Sequence, residues 1–358
     1  MRVGSNLLEV TCGRPHCVGA QIFCYNRLMP IKRIKHLVDG GVKLLGFDAS
    51  RKRQEYRCRY EARVKNISPE KVGFSLVMPY PVNDGGQKLI SNPEFRPSDA
   101  SLLKEEDFGN RYVSWTAELE SGHSITFSQF FECVIEPRAI EIDPNLSIDD
   151  YEKSSDKVVT YLNKNSYLEQ GSGEGQKLAL DLAAGEKNIK ILMDKFNKFV
   201  IDRLSYGNPF EGLYSMKDAL EKSEVDGGGF DSLLAGLCRT VGIPARIVSG
   251  FWTNSPDDVM AMHAWVEILL PTGDWVPADP SVEKLRKQKR SRRSGELGFV
   301  GSDRVIFSYG SDMEIKAEMG AREVDILQNP ILIPKPEDKQ LVVERGFYAV
   351  PLKKIKLK

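Results

Sequence analysis

The sequence predicts an α+β protein in which an antiparallel β-sandwich precedes a domain built from a helix packed on an antiparallel sheet. Up to about residue 138, short runs alternate apolar and charged residues at period two. Helical periodicity follows only after about residue 175, and strand-like runs return after residue 244. At 358 residues the chain is longer than one typical domain, so we expect two.

The N-terminal region, residues 1–138, is predicted to be the β-sandwich. Its clearest strand is Tyr56–Val64, which alternates apolar and charged residues and ends at the turn cluster Asn66–Pro69. Further strands are predicted at Phe74–Met78, Tyr112–Leu119 and Ile125–Val134. Short strands at this spacing are typical of an antiparallel sandwich.

Residues 139–175 are polar and rich in turn residues, and we interpret them as a connector. The core domain is predicted at 176–335, and it is followed at 336–358 by a strand and a basic tail. Ile189–Val200 places its apolar residues on one helical face. Other elements predicted are helices at Ser215–Lys222 and from about Gly227 to Val241, and strands at Ala245–Phe251, His263–Leu270, Trp275–Ala278, Arg304–Ser308, Ile331–Ile333 and Gln340–Val343.

The overall charge is balanced, with 50 basic and 50 acidic residues, so no global attraction to nucleic acid or anionic membranes is expected. Charges interrupt every apolar run, and no transmembrane helix is predicted. The N-terminus of the sequence has no apolar signal region, and we expect a cytoplasmic location.

One local exception is Lys284–Arg293, with seven Lys or Arg residues in ten. This run is either a patch for nucleic acid or another anionic partner, or a solvated loop. We favour the loop and expect no nucleic acid as a partner, because no aromatic residues interleave for base stacking.

The cysteines are scattered and do not indicate a disulfide framework. Cys12, Cys17 and Cys24 form the densest group, with His16 among them. A metal site there is conceivable, but the C-x4-C spacing is not that of a zinc knuckle, and half-buried strand cysteines explain it as well. We expect no metal and no cofactor.

Three stretches point to chemistry: Leu237–Phe251, Met262–Ile268 and Asp274–Ser281. In order and spacing they closely resemble the bacterial and archaeal transglutaminase-like family, with its R-x-x-G-I-P-A-R, H-A-W-V-E and W-x-x-x-D-P-[ST] motifs. The resemblance implies a papain-like core with a Cys–His–Asp site, and it assigns the catalytic His to His263 and the Asp to Asp279. An imidazole that activates a nucleophile needs an acceptor on its second nitrogen, which fits this pair.

The resemblance extends beyond these motifs. Asn66–Pro69, Pro79–Pro81, Gln87–Ile90 and Phe108–Asn110 look like parts of the β-sandwich that precedes the core in bacterial members. Asp303–Asp312 looks like the closing strand of the family's core.

The family's nucleophile is missing. Its cysteine begins the long helix in a pattern like G-x-C-x-D-[FY]-[AS], and a count back from Cys238 reaches Gly227. A second count, from the preceding helix, reaches the same residue. Phe230 fits the pattern, whereas Val225 and Gly229 depart from it. These altered neighbours argue against an isolated Cys-to-Gly exchange.

Other groups could still serve the site. Cys238 lies about 16 Å along the helix from its start and is expected in the core. Asp231, one turn after Gly227, either faces the His or stabilises the first helical turn. A glycine run leaves backbone N–H groups open to an anion, and the predicted substrate-binding residues are Gly228, Gly229, Asp231 and Trp265.

Two functional hypotheses follow. In the first, His263, oriented by Asp279, acts on a peptide or amide substrate by chemistry that needs no thiol, with the glycine amides stabilising an anion. In the second, the core is an inactive pseudoenzyme that binds peptides or proteins. The expected partner is a peptide, a protein or an amide-containing small molecule.

Overall fold

The computed structural model describes residues 49–162, 173–207, 212–222, 224–253, 262–336 and 339–352. The Cys12, Cys17 and Cys24 group lies outside the described residues. The helices are α1 (Asp156–Tyr161), α2 (Gly173–Ala183), α3 (Ile189–Arg203), α4 (Met216–Lys222), α5 (Gly227–Thr240) and α6 (Pro280–Lys287). The strands are β1 (Gln54–Asn66), β2 (Val72–Pro79), β3 (Gln87–Leu89), β4 (Glu94–Arg96), β5 (Ser101–Lys104), β6 (Arg111–Leu119), β7 (Ser124–Ile135), β8 (Arg138–Ala139), β9 (Ser205–Tyr206), β10 (Glu224–Val225), β11 (Ala245–Trp252), β12 (Met262–Leu269), β13 (Trp275–Ala278), β14 (Phe299–Val300), β15 (Arg304–Tyr309), β16 (Met313–Ala317), β17 (Gly320–Val324), β18 (Ile331–Lys335) and β19 (Leu341–Pro351).

Two antiparallel sheets pack against each other as a β-sandwich. One has the strand order β19-β1-β7-β3, with β4 also paired to β7, and the other has the order β18-β2-β6-β5. Side chains along β1 alternate between buried and more exposed, as a half-buried strand requires. The buried side chains of both sheets form one hydrophobic cluster. The predicted α+β class with antiparallel sheets is confirmed.

The last two strands return to this sandwich. β18 pairs with β2, and β19 pairs with β1 along its whole length, from Tyr56 opposite Pro351 to Asn66 opposite Leu341. The predicted division placed residues 331–335 at the end of the core and 336–358 in a C-terminal strand and basic tail, without a pairing partner for either strand. A local sequence pattern predicts a strand but not its distant partner.

The core consists of the sheet β13-β12-β11-β15 with α5 packed against it. Ala264, Val266 and Ile268 of β12 face the helices and share a cluster with Phe230 and Leu234 of α5. The predicted helix on an antiparallel sheet is therefore confirmed. No helix among the described residues is both long and apolar enough to cross a bilayer.

The sandwich and the core are joined by an aromatic cluster. Phe251 of β11 and Phe307 of β15 lie with their ring centroids 5.1 and 5.4 Å from that of Tyr60 in β1. Phe347 of β19 stacks on Phe251 at 4.8 Å. The strands that carry the candidate site are thus fixed to the sandwich by a shared hydrophobic core.

A buried ion pair lies on the face of the core sheet that points away from α5. Arg246 donates from Nε and Nη2 to Oε2 of Glu267, at 3.0 and 2.6 Å, and Arg138 binds the other carboxylate oxygen. The Arg246 guanidinium lies between Trp275 and Tyr309, 3.8 and 3.7 Å from their ring centroids. Although burial alone would raise the pKa of Glu267, the two arginines hold it below its ordinary value. Arg246 and Glu267, which both belong to the family motifs, therefore stabilise the fold by joining β11 to β12.

Candidate active site

His263 lies near the start of β12, opposite Gly250 of β11. A Cβ on Gly250 would fall 1.8 Å from the carbonyl oxygen of Val305, so only glycine allows this close strand approach. The Gln328 amide donates to the carbonyls of both Gly250 and His263, at 2.7 and 3.0 Å. The backbone that carries His263 is therefore held from two sides.

Asp279 meets His263 in a buried contact, with 2.7 Å between Oδ2 and Nε2. The carboxylate also caps α6, because its Oδ1 accepts from the Val282 amide and the Ser281 hydroxyl, each at 3.1 Å. Both carboxylate oxygens are thus fixed. The structure brings together the two residues that the motifs predicted as a pair.

Arg304 is a third member of this group that sequence analysis did not single out. Its Nη1 lies 2.7 Å from Oδ2 of Asp279, and the side chain is only 2% exposed. Arg304 is the first residue of β15, and the apolar residues Val305–Phe307 follow it directly. An arginine at the start of a buried strand was the signal available in the sequence.

The charges around the pair set its protonation. Burial would raise the pKa of Asp279, but His263, Arg304 and the Val282 amide hold it well below its usual range. Burial lowers the pKa of His263; the Asp279 charge opposes this, and Arg304 and Arg293 add to it. His263 is therefore neutral at neutral pH, with its proton on Nε2 toward the carboxylate. Its Nδ1 accepts no hydrogen bond from the described part of the chain.

Trp252 covers the imidazole. Its ring stacks on His263 with 4.0 Å between centroids and 22° between planes, whereas Trp265, which the sequence predicted as a substrate contact, lies 6.0 Å away. The guanidinium of Arg304 also lies over Trp252, 4.3 Å from the ring centroid. Trp252 was not predicted as a site residue, because it follows the motif at the end of β11.

Gly227 begins α5, directly after the N-cap Asp226. A Cβ at this position would lie 3.5 Å from Oγ of Ser281 and 4.0 Å from its Cβ, both ordinary van der Waals distances. Ser281 in turn donates to Asp279. A side chain at position 227 therefore fits against Ser281, which is hydrogen-bonded to Asp279, without displacing its neighbours.

The rest of the glycine run is less open than predicted. Oδ1 of Asp226 accepts from the Gly228 amide at 2.9 Å, and the Gly229 amide donates to the carbonyl of Asp226. A Cβ on Gly229 would lie 2.5 Å from Cγ2 of Val225. The two departures from the family pattern therefore explain each other: Val225 occupies the space beside Gly229. Among the three glycines, the Gly227 amide makes no hydrogen bond with a described residue.

Asp231 and Trp265 are completely buried, and Gly229 is buried as well. Their role as substrate contacts stays a prediction. Neither carboxylate oxygen of Asp231 has a hydrogen-bond partner among the residues that the structure describes. Burial raises its pKa well above the ordinary value, and the charges of Asp279 and Asp226 add to the effect. The environment of Asp231 therefore favours the protonated form of its carboxyl group.

Cys238 is a core residue, as expected. It is fully buried, contacts Sδ of Met193 at 3.5 Å, and burial raises its thiol pKa to about 12. Cys58 and Cys133 are buried in the sandwich. Among the described residues, no group of three or more His, Cys, Asp or Glu side chains is arranged to hold a metal ion.

A helix that begins beside a buried His–Asp pair on an antiparallel sheet defines a papain-like core. Residues 176–280 match the family model described as "Transglutaminase-like superfamily". This core therefore belongs to the transglutaminase-like superfamily.

Solved structures were also compared. A candidate cysteine protease from Cytophaga hutchinsonii has a TM-score of 0.54 and 13% identity, covering 84% of this chain and 92% of that one. The periplasmic domain of TgpA from Pseudomonas aeruginosa has 15% identity and a TM-score of 0.33, covering 66% and 93% of the two chains. The first likeness shows a common fold alone. Comparison with curated proteins found no match.

Proposed function

We propose that the cleft acts on the amide bond of a peptide or peptide-like substrate, with His263 as general base on water in place of a thiol. The observation that carries the proposal is the buried His263–Asp279–Arg304 arrangement beside the unfilled side-chain position of Gly227. The Nδ1 nitrogen of this neutral imidazole accepts no hydrogen bond from a described residue, which leaves it available to a water molecule.

The proposed reaction follows from the protonation of the pair. Nδ1 of His263 takes a proton from water as the water oxygen bonds to the carbonyl carbon. Asp279 stabilises the imidazolium that forms. The proton then passes to the amide nitrogen as the carbon–nitrogen bond breaks, which yields an acid and an amine. The Gly227 amide is the backbone donor available for the carbonyl oxygen.

A second candidate function is a pseudoenzyme that binds peptides without turnover. One observation favours it: Asp279 also caps α6 and pairs with Arg304, so it has a structural reason to stay. In this case the cleft retains its shape, and His263 contributes stacking against Trp252 but no chemistry.

Hydrolysis of a peptide amide library by the wild-type protein and by His263→Gln distinguishes the two. We expect turnover by the wild type and a loss of about 10²–10⁴-fold in the variant, in which the glutamine amide still donates to Asp279. Because burial lowers the pKa of His263, activity should persist as pH falls below about 6.5, the ordinary value for histidine.

The matched control is His123→Gln, at an exposed turn between β6 and β7, which should leave turnover unchanged. Wild-type protein that binds peptides but releases no amine, with the same affinity in His263→Gln, would establish the pseudoenzyme instead.

A further inference from the structure

Four exposed cations follow the site along the chain. Lys287, Lys289, Arg290 and Arg292, here called the basic turn, are exposed, and none forms an ion pair with a carboxylate of the described residues. Arg286 differs, because it donates twice to Glu283, at 2.7 and 2.6 Å. The basic turn therefore concentrates positive charge that its own surroundings do not neutralise.

The backbone of the basic turn is fixed. The Arg290 amide donates to the carbonyl of Leu285 at 2.8 Å, and the Lys289 amide to that of Arg286 at 2.9 Å. These two bonds form the helix-ending motif that normally has glycine at its left-handed position. Here that position is Lys289, with φ 59°. Residues 284–287 of the basic run belong to α6, and the residues from 288 onward form the exposed turn that ends this helix.

The segment 279–293, which contains α6 and the basic turn, contacts the candidate site at both of its ends. It begins at Asp279, the cap of α6. It returns through Arg293, whose guanidinium lies 3.9 Å from the ring centroid of Trp252 and whose Nε is 3.3 Å from Oδ2 of Asp303. Trp252 stacks directly on His263. The basic turn is therefore a loop held next to the candidate site by Arg293.

Arg290, a member of the basic turn, lies within electrostatic range of a residue near the start of α5. Its charge acts on the hydroxyl of Tyr206 in β9, which also lies within range of Asp226 and Asp279. β9 pairs with β10, just before Gly227. Arg290 and Asp226, the N-cap of α5, therefore both act electrostatically on the same half-buried tyrosine.

We propose that the basic turn binds acidic side chains of the peptide that enters the cleft, so that the protein prefers substrates with Asp or Glu near the target amide. This proposal rests on the proposed function in one respect, namely that the peptide binds next to His263. Clustered cations repel one another, and an acidic segment relieves that repulsion. A peptide fits better than nucleic acid, because the basic turn holds no aromatic side chain for base stacking.

The test is the affinity of two labelled peptides of equal length, one with Asp and Glu around a central Gln and one with Asn and Gln at those positions. We expect the acidic peptide to bind about 10-fold more tightly to the wild type, and the difference to shrink at high salt. The triple variant Lys289→Gln, Arg290→Gln, Arg292→Gln should lose this preference without weaker binding of the neutral peptide.

The matched control carries Lys157→Gln, Lys177→Gln and Lys195→Gln, exposed residues of α1, α2 and α3, and should keep the preference. Equal affinity for both peptides, no binding of the acidic one, or an unchanged preference in the triple variant would overturn the proposal. Tighter binding of a single-stranded oligonucleotide that the triple variant loses would also overturn it. An acidic preference that persists in His263→Gln without any turnover would support the docking site while the hydrolytic function fails.

Discussion

Replacement of Glu267 by Gln is expected to lower the free energy of unfolding by about 3–5 kcal/mol. The carboxylate is fully buried and is the common partner of Arg246 and Arg138. Glutamine keeps the size of the side chain but removes its charge, which leaves two guanidinium groups without a counterion in the core. Arg246 cannot move away, because aromatic rings lie on both of its faces.

Urea unfolding monitored by tryptophan fluorescence measures this loss. The matched control is Glu132→Gln, whose partner Arg57 is exposed, and the expected loss there is below about 1 kcal/mol. Equal losses in the two variants would show that the buried pair has no special role in holding β11 and β12.

Replacement of Asp231 by Asn is expected to stabilise the protein by an amount that grows with pH. Because burial raises the pKa of the folded carboxyl, the unfolded chain releases its proton first, near pH 4. The contribution of Asp231 to stability is present below that pH and is lost as pH rises toward the folded-state value. The loss is about 1.4 kcal/mol for each pH unit, at most about 4 kcal/mol at pH 7. Asparagine removes this dependence.

Thermal unfolding of both proteins between pH 4 and pH 8 gives the difference directly. The control is Asp181→Asn, at an exposed position in α2, for which the difference from wild type should stay flat. A flat difference for Asp231→Asn as well would mean that this carboxyl ionises normally in the folded protein.

The His263–Asp279 pair could be predicted because its motifs lie on neighbouring strands, where spacing along the chain determines spacing in the fold. Val266 of β12 pairs with Ala278 of β13, which brings Asp279 to the same end of the sheet as His263, three residues before Val266. Arg304 could not be placed in this way. It reaches Asp279 only because β15 pairs with β11, with Trp252 opposite Arg304, and no local pattern specifies that register.

The glycine run shows a second limit. Sequence comparison with the family pattern marked Val225 and Gly229 as separate departures, but the Val225 side chain fills the space of a Cβ at position 229. Packing of this kind depends on the angle between β10 and α5, which propensity and periodicity do not encode. The remodelled helix start is therefore one change in packing, and position 227 itself stays open.

The reactivity of a cysteine introduced as Gly227→Cys bears most directly on the nucleophile position. At the start of α5 and next to Ser281, the hydrogen-bond partner of Asp279, its thiol should be alkylated by iodoacetamide at pH 6, where an ordinary thiol of pKa about 8.5 is almost unreactive. Mass spectrometry of the peptide that contains residue 227 separates it from other cysteines. We predict fast alkylation that is lost when His263→Gln is added. A rate that rises only near pH 8.5, unchanged by His263→Gln, would contradict the placement of Gly227 beside a functional His–Asp pair.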